Sequence, residues 1–306
     1  MSSHVGELEN AYSGKRIFLL GNGPSLNDTP LRILDDEYTL AMNKINHIYD
    51  STSWRPDFYF VSSPPDNVPG AEKLMNFIEF NMGNPNIKCL LNSTYTNHIS
   101  EGYDDIYFMD RIKLNTGINP FHLSSLEEIK QMDLNHLLRY WSDDLSHFAY
   151  HYHSMYEAVQ FAVYAGFEEI YFVGTDLGME YSNPHMVSSE GLDPYKFEGD
   201  KYEFFRTAYD EGKLASSFIN GMALKAIQTI SGTNISKKFN NGSSIHFDGK
   251  YLQDLKIHDY TKDEIELRKG HVATKRICEH KGIDVFNATI GGELEIYPRK
   301  NIHDIL

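Results

Sequence analysis

The hydrophobic positions of this chain fall into short, wholly apolar runs, each closed by a polar or glycine-rich stop. Residues 17–20 (IFLL) stop at Gly21-Asn22-Gly23-Pro24-Ser25, and residues 38–42 (YTLAM) stop at Asn43. Residues 57–61 (DFYFV) stop at Ser62-Ser63-Pro64-Pro65, and residues 170–173 (IYFV) at Gly174-Thr175-Asp176. Further runs lie at 87–91, 106–109 and 283–286, and a last short one at 294–296. Runs of this length without alternation predict strands covered on both faces, as in a parallel sheet. Helical spacing fills the gaps. Residues 71–82 predict a helix, and Leu26, Leu31 and Leu34 a helix or helical turn. Met155, Ala158, Val159, Ala162 and Val163 predict another helix from 154, stopped by Gly166 as glycine does at C′. Residues 264–280 predict a third, interrupted near Gly270. Strand, polar stop, helix and strand again is the pattern of an α/β fold: a Rossmann-like, doubly wound, mainly parallel sheet.

One stretch breaks the pattern. Residues 178–261 are rich in Tyr, Asp, Gly and Ser and poor in strand signals, with one plausible helix near 214–230. Following directly on a strand end, they read as an inserted lid or acceptor-binding segment, with Tyr181, Tyr195, Tyr202 and Tyr209 available to a sugar. The expected organisation is a flexible 1–14, a nucleotide-binding domain of 15–177 and 262–306, and the insertion 178–261.

A length of 306 residues with 41% hydrophobic positions supports a sizeable core. A formal charge of −15 argues against general nucleic-acid or anionic-membrane binding. Two cysteines, Cys89 and Cys278, make no disulfide framework and read as packing residues of a reducing, cytoplasmic compartment. The first residues show no signal-peptide pattern, and no apolar run approaches 18 residues, so no transmembrane segment is expected.

The chemistry concentrates at the polar stops, because ligands of doubly wound sheets bind at the carboxyl ends of the strands. Gly21 and Gly23 permit close backbone approach, and a helix N-terminus after Pro24 would turn free N–H groups toward an anion. Asn22 and Ser25 add neutral donors and acceptors, and Asn43, Ser62, Ser63, Thr175 and Asp176 end neighbouring strands. HExxH, GxSxG and GxxxxGK[ST] are absent, and GxGxxG fails because Leu26 follows where the third glycine would stand. Of the 14 histidines none falls in a zinc pattern; His151 and His153 are spaced for a strand edge.

GNGPSL at 21–26, the strand ending at Asn43 (AMNKINHIY) and the block 154–176 (SMYEAVQFAVYAGFEEIYFVGTD) together resemble the family-42 bacterial sialyltransferases. They equally resemble a related group from surface-polysaccharide clusters labelled pterin-pyrophosphokinase-like. The likeness covers about 15–62 and 150–178, and more weakly 270–299. It implies a CMP-sugar donor held without a metal. It implies that Gly21, Asn22, Gly23 and Ser25 meet the nucleotide phosphate and ribose, and Asn43 the cytidine or ribose. Ser154 would lie near the donor, with Gly174, Thr175 and Asp176 beneath the cytosine. The family's histidine base precedes a helix and a terminal strand, which points to His271, with His185 as a competitor. The family places two tyrosines after the acidic strand end; here Gly178 stands at the first place and Tyr181 near the second.

The expected function is therefore a glycosyltransferase moving an acidic, sialic-acid-like sugar from a CMP donor to a bacterial surface glycan. A histidine would take the acceptor proton, and Tyr181, Ser25 or Arg299 would steady the leaving phosphate. Its partners would be a nucleotide sugar and a glycan acceptor, with no nucleic acid, no cofactor, and a peripheral place at the inner membrane allowed. The alternatives are an ATP-dependent hydroxymethylpterin pyrophosphokinase, which would need Mg²⁺ on Asp57, Asp66 and Asp176, and a non-enzymatic nucleotide-binding protein.

Overall fold

The apolar runs become eight strands of one sheet. They are β1 (Arg16–Leu20), β2 (Tyr38–Met42), β3 (Phe58–Val61), β4 (Lys88–Asn92), β5 (Ile106–Ile112), β6 (His147–Ala149), β7 (Glu169–Val173) and β8 (Asp284–Asn287). The computed structural model describes residues 5–65, 71–100, 102–112, 124–149, 153–177 and 260–306. Of the insertion 178–261, residues 178–259, and with them Tyr181 and His185, lie outside the described residues, as does Asp66; its last two residues open a helix that continues to Lys281. The strand order is β6-β5-β4-β3-β2-β1-β7-β8, and every neighbouring pair is parallel. The chain steps outward from β1 to β6, then returns to lay β7 on the other side of β1. The order of winding thus reverses between β1 and β7, the place at which doubly wound sheets bind ligands.

Six helices are described: α1 (Ala71–Met82), α2 (Leu126–Gln131), α3 (Leu134–Leu138), α4 (Ser154–Tyr164), α5 (Tyr260–Lys281) and α6 (Ile302–Ile305). The strands read as continuous apolar runs because both faces are buried. Ile17, Leu19, Leu40, Met42, Phe58, Phe60, Ile170 and Phe172 pack on one side with residues of α2, α3, α4 and α5. Phe18, Leu20, Ala41, Tyr59, Val61, Tyr171 and Val173 pack on the other with α1, α6 and the 3-10 turns. Each of the Val, Leu, Ile, Phe and Met side chains among them contributes about 1.5–3 kcal/mol by leaving water. Cys89 and Cys278 belong to these two cores, and burial pushes both thiols up to about 12, which makes them packing groups.

Helix α4 ends as its sequence predicts. Gly166 takes φ +89°, its N–H reaches Val163 O at 3.1 Å, and the Phe167 N–H reaches Ala162 O at 3.0 Å, a Schellman closure. Three local expectations give way to packing. Residues 5–14 do not fray: Val5 and Leu8 are buried, the Asn10 and Tyr12 N–H groups bond to Tyr164 O and Ala165 O, and Tyr12 stacks on Phe167. Helix α5 runs unbroken through Gly270; the roughly 1 kcal/mol that glycine costs there is offset by burying Val272, Ala273, Ile277 and Cys278. Residues 294–296 form no strand. Arg299 holds 289–299 as a loop, donating to Thr289 O, Gly291 O and Gly292 O and pairing with Glu295, and a single bridge joins Asn287 to Arg299. No helix among the described residues is long and apolar enough to cross a membrane.

The carboxyl ends of β1 and β7 approach so closely that side chains are excluded. A Cβ on Gly21 would lie 2.4 Å from Gly174 O, and Gly174 itself holds φ +64°. Gly21→Ala is expected to force the strand ends apart and cost about 1–3 kcal/mol. A melting temperature equal to wild type in calorimetry would contradict this packing.

Candidate functional site

The glycine-rich turn continues the β1–β7 pairing past the strands. Gly21 N–H donates to Val173 O and Gly23 N–H to Gly174 O, both at 2.8 Å. Pro24 then starts a five-residue 3-10 helix, Pro24–Asp28, anchored by the fully buried Leu26. The helix expected after the turn is thus a single tight turn, too short to build a substantial dipole. The donors it presents are already engaged: Ser25 N–H and Oγ–H both donate to Asp176 Oδ2, at 3.2 and 2.8 Å. A Cβ on Gly23 would fall 1.8 Å from that same oxygen. The anion seated on the turn is therefore the protein's own carboxylate, brought from the end of β7.

Asp176 sits there at a cost. Burial raises its pKa above the usual carboxylate value, and the Asp28 charge adds to this; the Ser25 bonds and the Arg299 charge act the other way. Gly292, at φ +66°, lies against its backbone, so the 289–299 loop closes over it. Next to it the Thr175 N–H donates to Thr289 Oγ1 at 3.1 Å, while the Thr175 hydroxyl is buried with no hydrogen-bond partner among the described residues.

Asn22 and Asn43 tie the next strand ends together. Asn22 is buried and its Nδ2 donates to Met42 O at 3.1 Å. Asn43 takes a left-handed φ of 54°, a conformation in which Asn is enriched. Its N–H donates to Phe60 O at 3.1 Å and its carbonyl accepts from Tyr59 Oη at 2.5 Å.

Helix α4 starts at the same edge. His153 stands at its N-cap without a side-chain capping bond, and Ser154 Oγ accepts from Ser62 Oγ, at the end of β3, at 3.3 Å. Helix α5 is about 33 Å long against roughly 16 Å for a five-residue strand, so it overshoots the sheet. His271 lies mid-helix, not before a helix as the resemblance placed it. It is buried (2% exposed), with its ring 5.4 Å from Phe172 of β7 in edge contact and 5.1 Å from His153. Its Nδ1 lies 3.1 Å from Tyr297 Oη. Sequence reasoning weighed His153 only with His151 for a metal and assigned Tyr297 no role; their meeting with His271 is tertiary and leaves no local signal.

The residues singled out in sequence thus occupy one edge of the sheet. Asn22, Ser25, Asn43, Ser154, Thr175, Asp176 and His271 come from three strand ends and two helices. Arg299, by contrast, is engaged in holding its own loop. Asp57 accepts from Thr39 N–H and Oγ–H at the opening of β3, at the amino edge, so Asp57 and Asp176 stand at opposite ends of the sheet and do not share an ion. Among the described residues no cluster of three or more His, Cys, Asp or Glu could hold a metal ion. Beside the turn, a cleft of about 620 Å³ opens between the loops after β1 and β2, lined by Leu26, Thr29, Pro30, Arg32, Ile48 and Thr52 among others.

No protein-family model matches the chain, and no curated protein matches it. One solved structure, titled "Structure of MAf glycosyltransferase from Magnetospirillum magneticum AMB-1", is similar over 97% of this chain at 13% identity and a TM-score of 0.46. The chain spans 37% of that structure's length. At such identity and score the likeness carries no argument about function, and the functional reading rests on the site.

The Asp176 carboxylate gives a pH test. A raised folded-state pKa means that the folded chain binds the proton more tightly than the unfolded one. The stabilisation from that proton is complete below the ordinary value of 3.8 and is lost as pH rises through the folded pKa. Asp176→Asn keeps an acceptor for Ser25 without the charge. It is expected to melt higher than wild type at pH 7.5, with the gap closing toward pH 4. A variant that melts lower at every pH would show that the charge stabilises the turn.

Proposed function

We propose that this chain is a glycosyltransferase that moves an acidic, sialic-acid-like sugar from a CMP-activated donor to a hydroxyl of a bacterial surface glycan without a metal. The observation that carries the reading is the convergence just described. Residues as far apart in sequence as Asn22 and His271 lie near the carboxyl ends of β1 and β7, where the winding reverses, and the sequence blocks resembling the sialyltransferases include these residues.

The roles follow from the chemistry each group can offer. Asn22, Asn43 and Thr175 present amide and hydroxyl groups suited to the base and ribose. Asp176, held by Ser25, is an acceptor for a ribose hydroxyl or an amino group, so Ser25 acts on the nucleotide through the carboxylate that it positions. Ser154 opens the eleven-residue α4, whose first N–H groups and positive end suit the donor phosphate. His271 takes the proton of the acceptor hydroxyl as that oxygen attacks the anomeric carbon; the bond from carbon to phosphate oxygen breaks, and CMP leaves with the electron pair. Tyr181 and the insertion 178–261 would complete the phosphate site and exclude water.

Three measurements test this. CMP is expected to raise the melting temperature in the presence of EDTA, while ATP with Mg²⁺ does not; the reverse would support pyrophosphokinase chemistry. Asn22→Ala and Ser25→Ala are each expected to weaken CMP binding by about 0.5–1.5 kcal/mol, roughly two- to tenfold in Kd, in calorimetric titration. His271→Ala is expected to keep CMP affinity and lose at least about a hundredfold in transfer rate. If His185→Ala shows that pattern instead, the base is His185.

A further inference from the structure

Tyr297 and His271 are joined by two hydrogen bonds, and together these fix where the protons lie. The Tyr297 hydroxyl is 2.9 Å from the His271 backbone carbonyl and 3.1 Å from His271 Nδ1. A carbonyl only accepts, so the single phenolic proton belongs to the first contact. In the second contact the phenolic oxygen has only lone pairs to offer, so Nδ1 carries the proton. A neutral imidazole has one N–H, and its lone pair is then on Nε2.

We infer that Tyr297 is a positioning residue that holds His271 in the Nδ1–H tautomer and thereby makes Nε2 the atom that receives the acceptor's proton. The assignment rests on the proposed glycosyl transfer. The arrangement suits a base. When Nε2 takes the proton as the acceptor oxygen bonds to the anomeric carbon, Nδ1–H still donates to Tyr297 and Tyr297 still donates to the carbonyl. Neither of these two hydrogen bonds has to be broken or turned as the ring becomes cationic, and the proton later leaves Nε2 for solvent. Had Tyr297 donated to Nδ1, the only N–H would sit on Nε2 and the ring would have no free lone pair to accept with. The hydroxyl is fully buried, which pushes its pKa well above the ordinary 10 and keeps it a donor; the Thr274 hydroxyl bonded to it only partly opposes this. Edge contact with Phe172 and the neighbouring ring of His153 fix the imidazole plane.

The test is long-range proton–nitrogen NMR on the full chain labelled with ¹⁵N-histidine, with His271 assigned by the signals that vanish in His271→Gln. Wild type is expected to show a protonated Nδ1 and a bare Nε2 at neutral pH. Tyr297→Phe is expected to lose that preference, moving toward Nε2–H, and to lower kcat for transfer from a CMP-sugar more than it changes KM. A wild-type His271 with Nε2–H overturns the inference without any variant, so it stays testable if Tyr297→Phe does not fold. A Tyr297→Phe protein that keeps a pure Nδ1–H tautomer also overturns it. If the tautomer is as expected but His271→Gln transfers at the wild-type rate, the base role and the mechanism proposed above fail, while the hydrogen-bond assignment stands.

Discussion

The structure turns on the contact between the carboxyl ends of β1 and β7. Two parallel strands from opposite windings of the sheet meet there, and beyond their last residues the backbones stay paired through Gly21, Gly23 and Gly174. Only glycine lets the chains run so close, and that closeness lets the Asp176 carboxylate lie on the turn and be held by Ser25. A buried carboxylate with two donors and, among the described residues, no ion pair is an expensive way to close a turn. The expense is understandable where the group must also face a ligand. The 289–299 loop, fixed by Arg299, completes the seat from the β8 side.

Helix α5 carries this constraint into the third dimension. Because it is about twice as long as the strands, it extends beyond the sheet edge. Arg268 ties the helix to Glu293, and a buried Lys269–Glu266 pair lies on the same turns. His271 sits where the helix crosses the end of β7. The site is thus assembled from a turn that brings a carboxylate in and a helix that brings an imidazole in, with the uncapped start of α4 between them.

Much of this was legible in the sequence, for a physical reason. A strand buried on both faces must be apolar throughout, so 38–42 and 170–173 announce themselves, and the left-handed stop at Gly166 marks a helix end that no other residue makes as cheaply. The polar stops fall on one edge because parallel strands all end on the same side. What stayed hidden depends on partners distant in the chain. Gly270 looks like a break until the core that pays for an unbroken helix is known. Ser25 looks like a phosphate donor until Asp176, 151 positions later, is seen to accept both its protons. The short strand 147–149 has no apolar run of its own, and Tyr297 gains meaning only from the turn of α5 packed against it.

The central claim is that the edge formed at the β1–β7 junction is where a nucleotide binds. Amide hydrogen exchange with and without CMP tests it most directly. The account predicts that CMP slows exchange at 21–25, 153–156 and 174–177, with little change at the amino edge of the sheet. Slowing confined to 27–32 and 48–53, around the cleft on the other face, would place the nucleotide elsewhere and contradict the account.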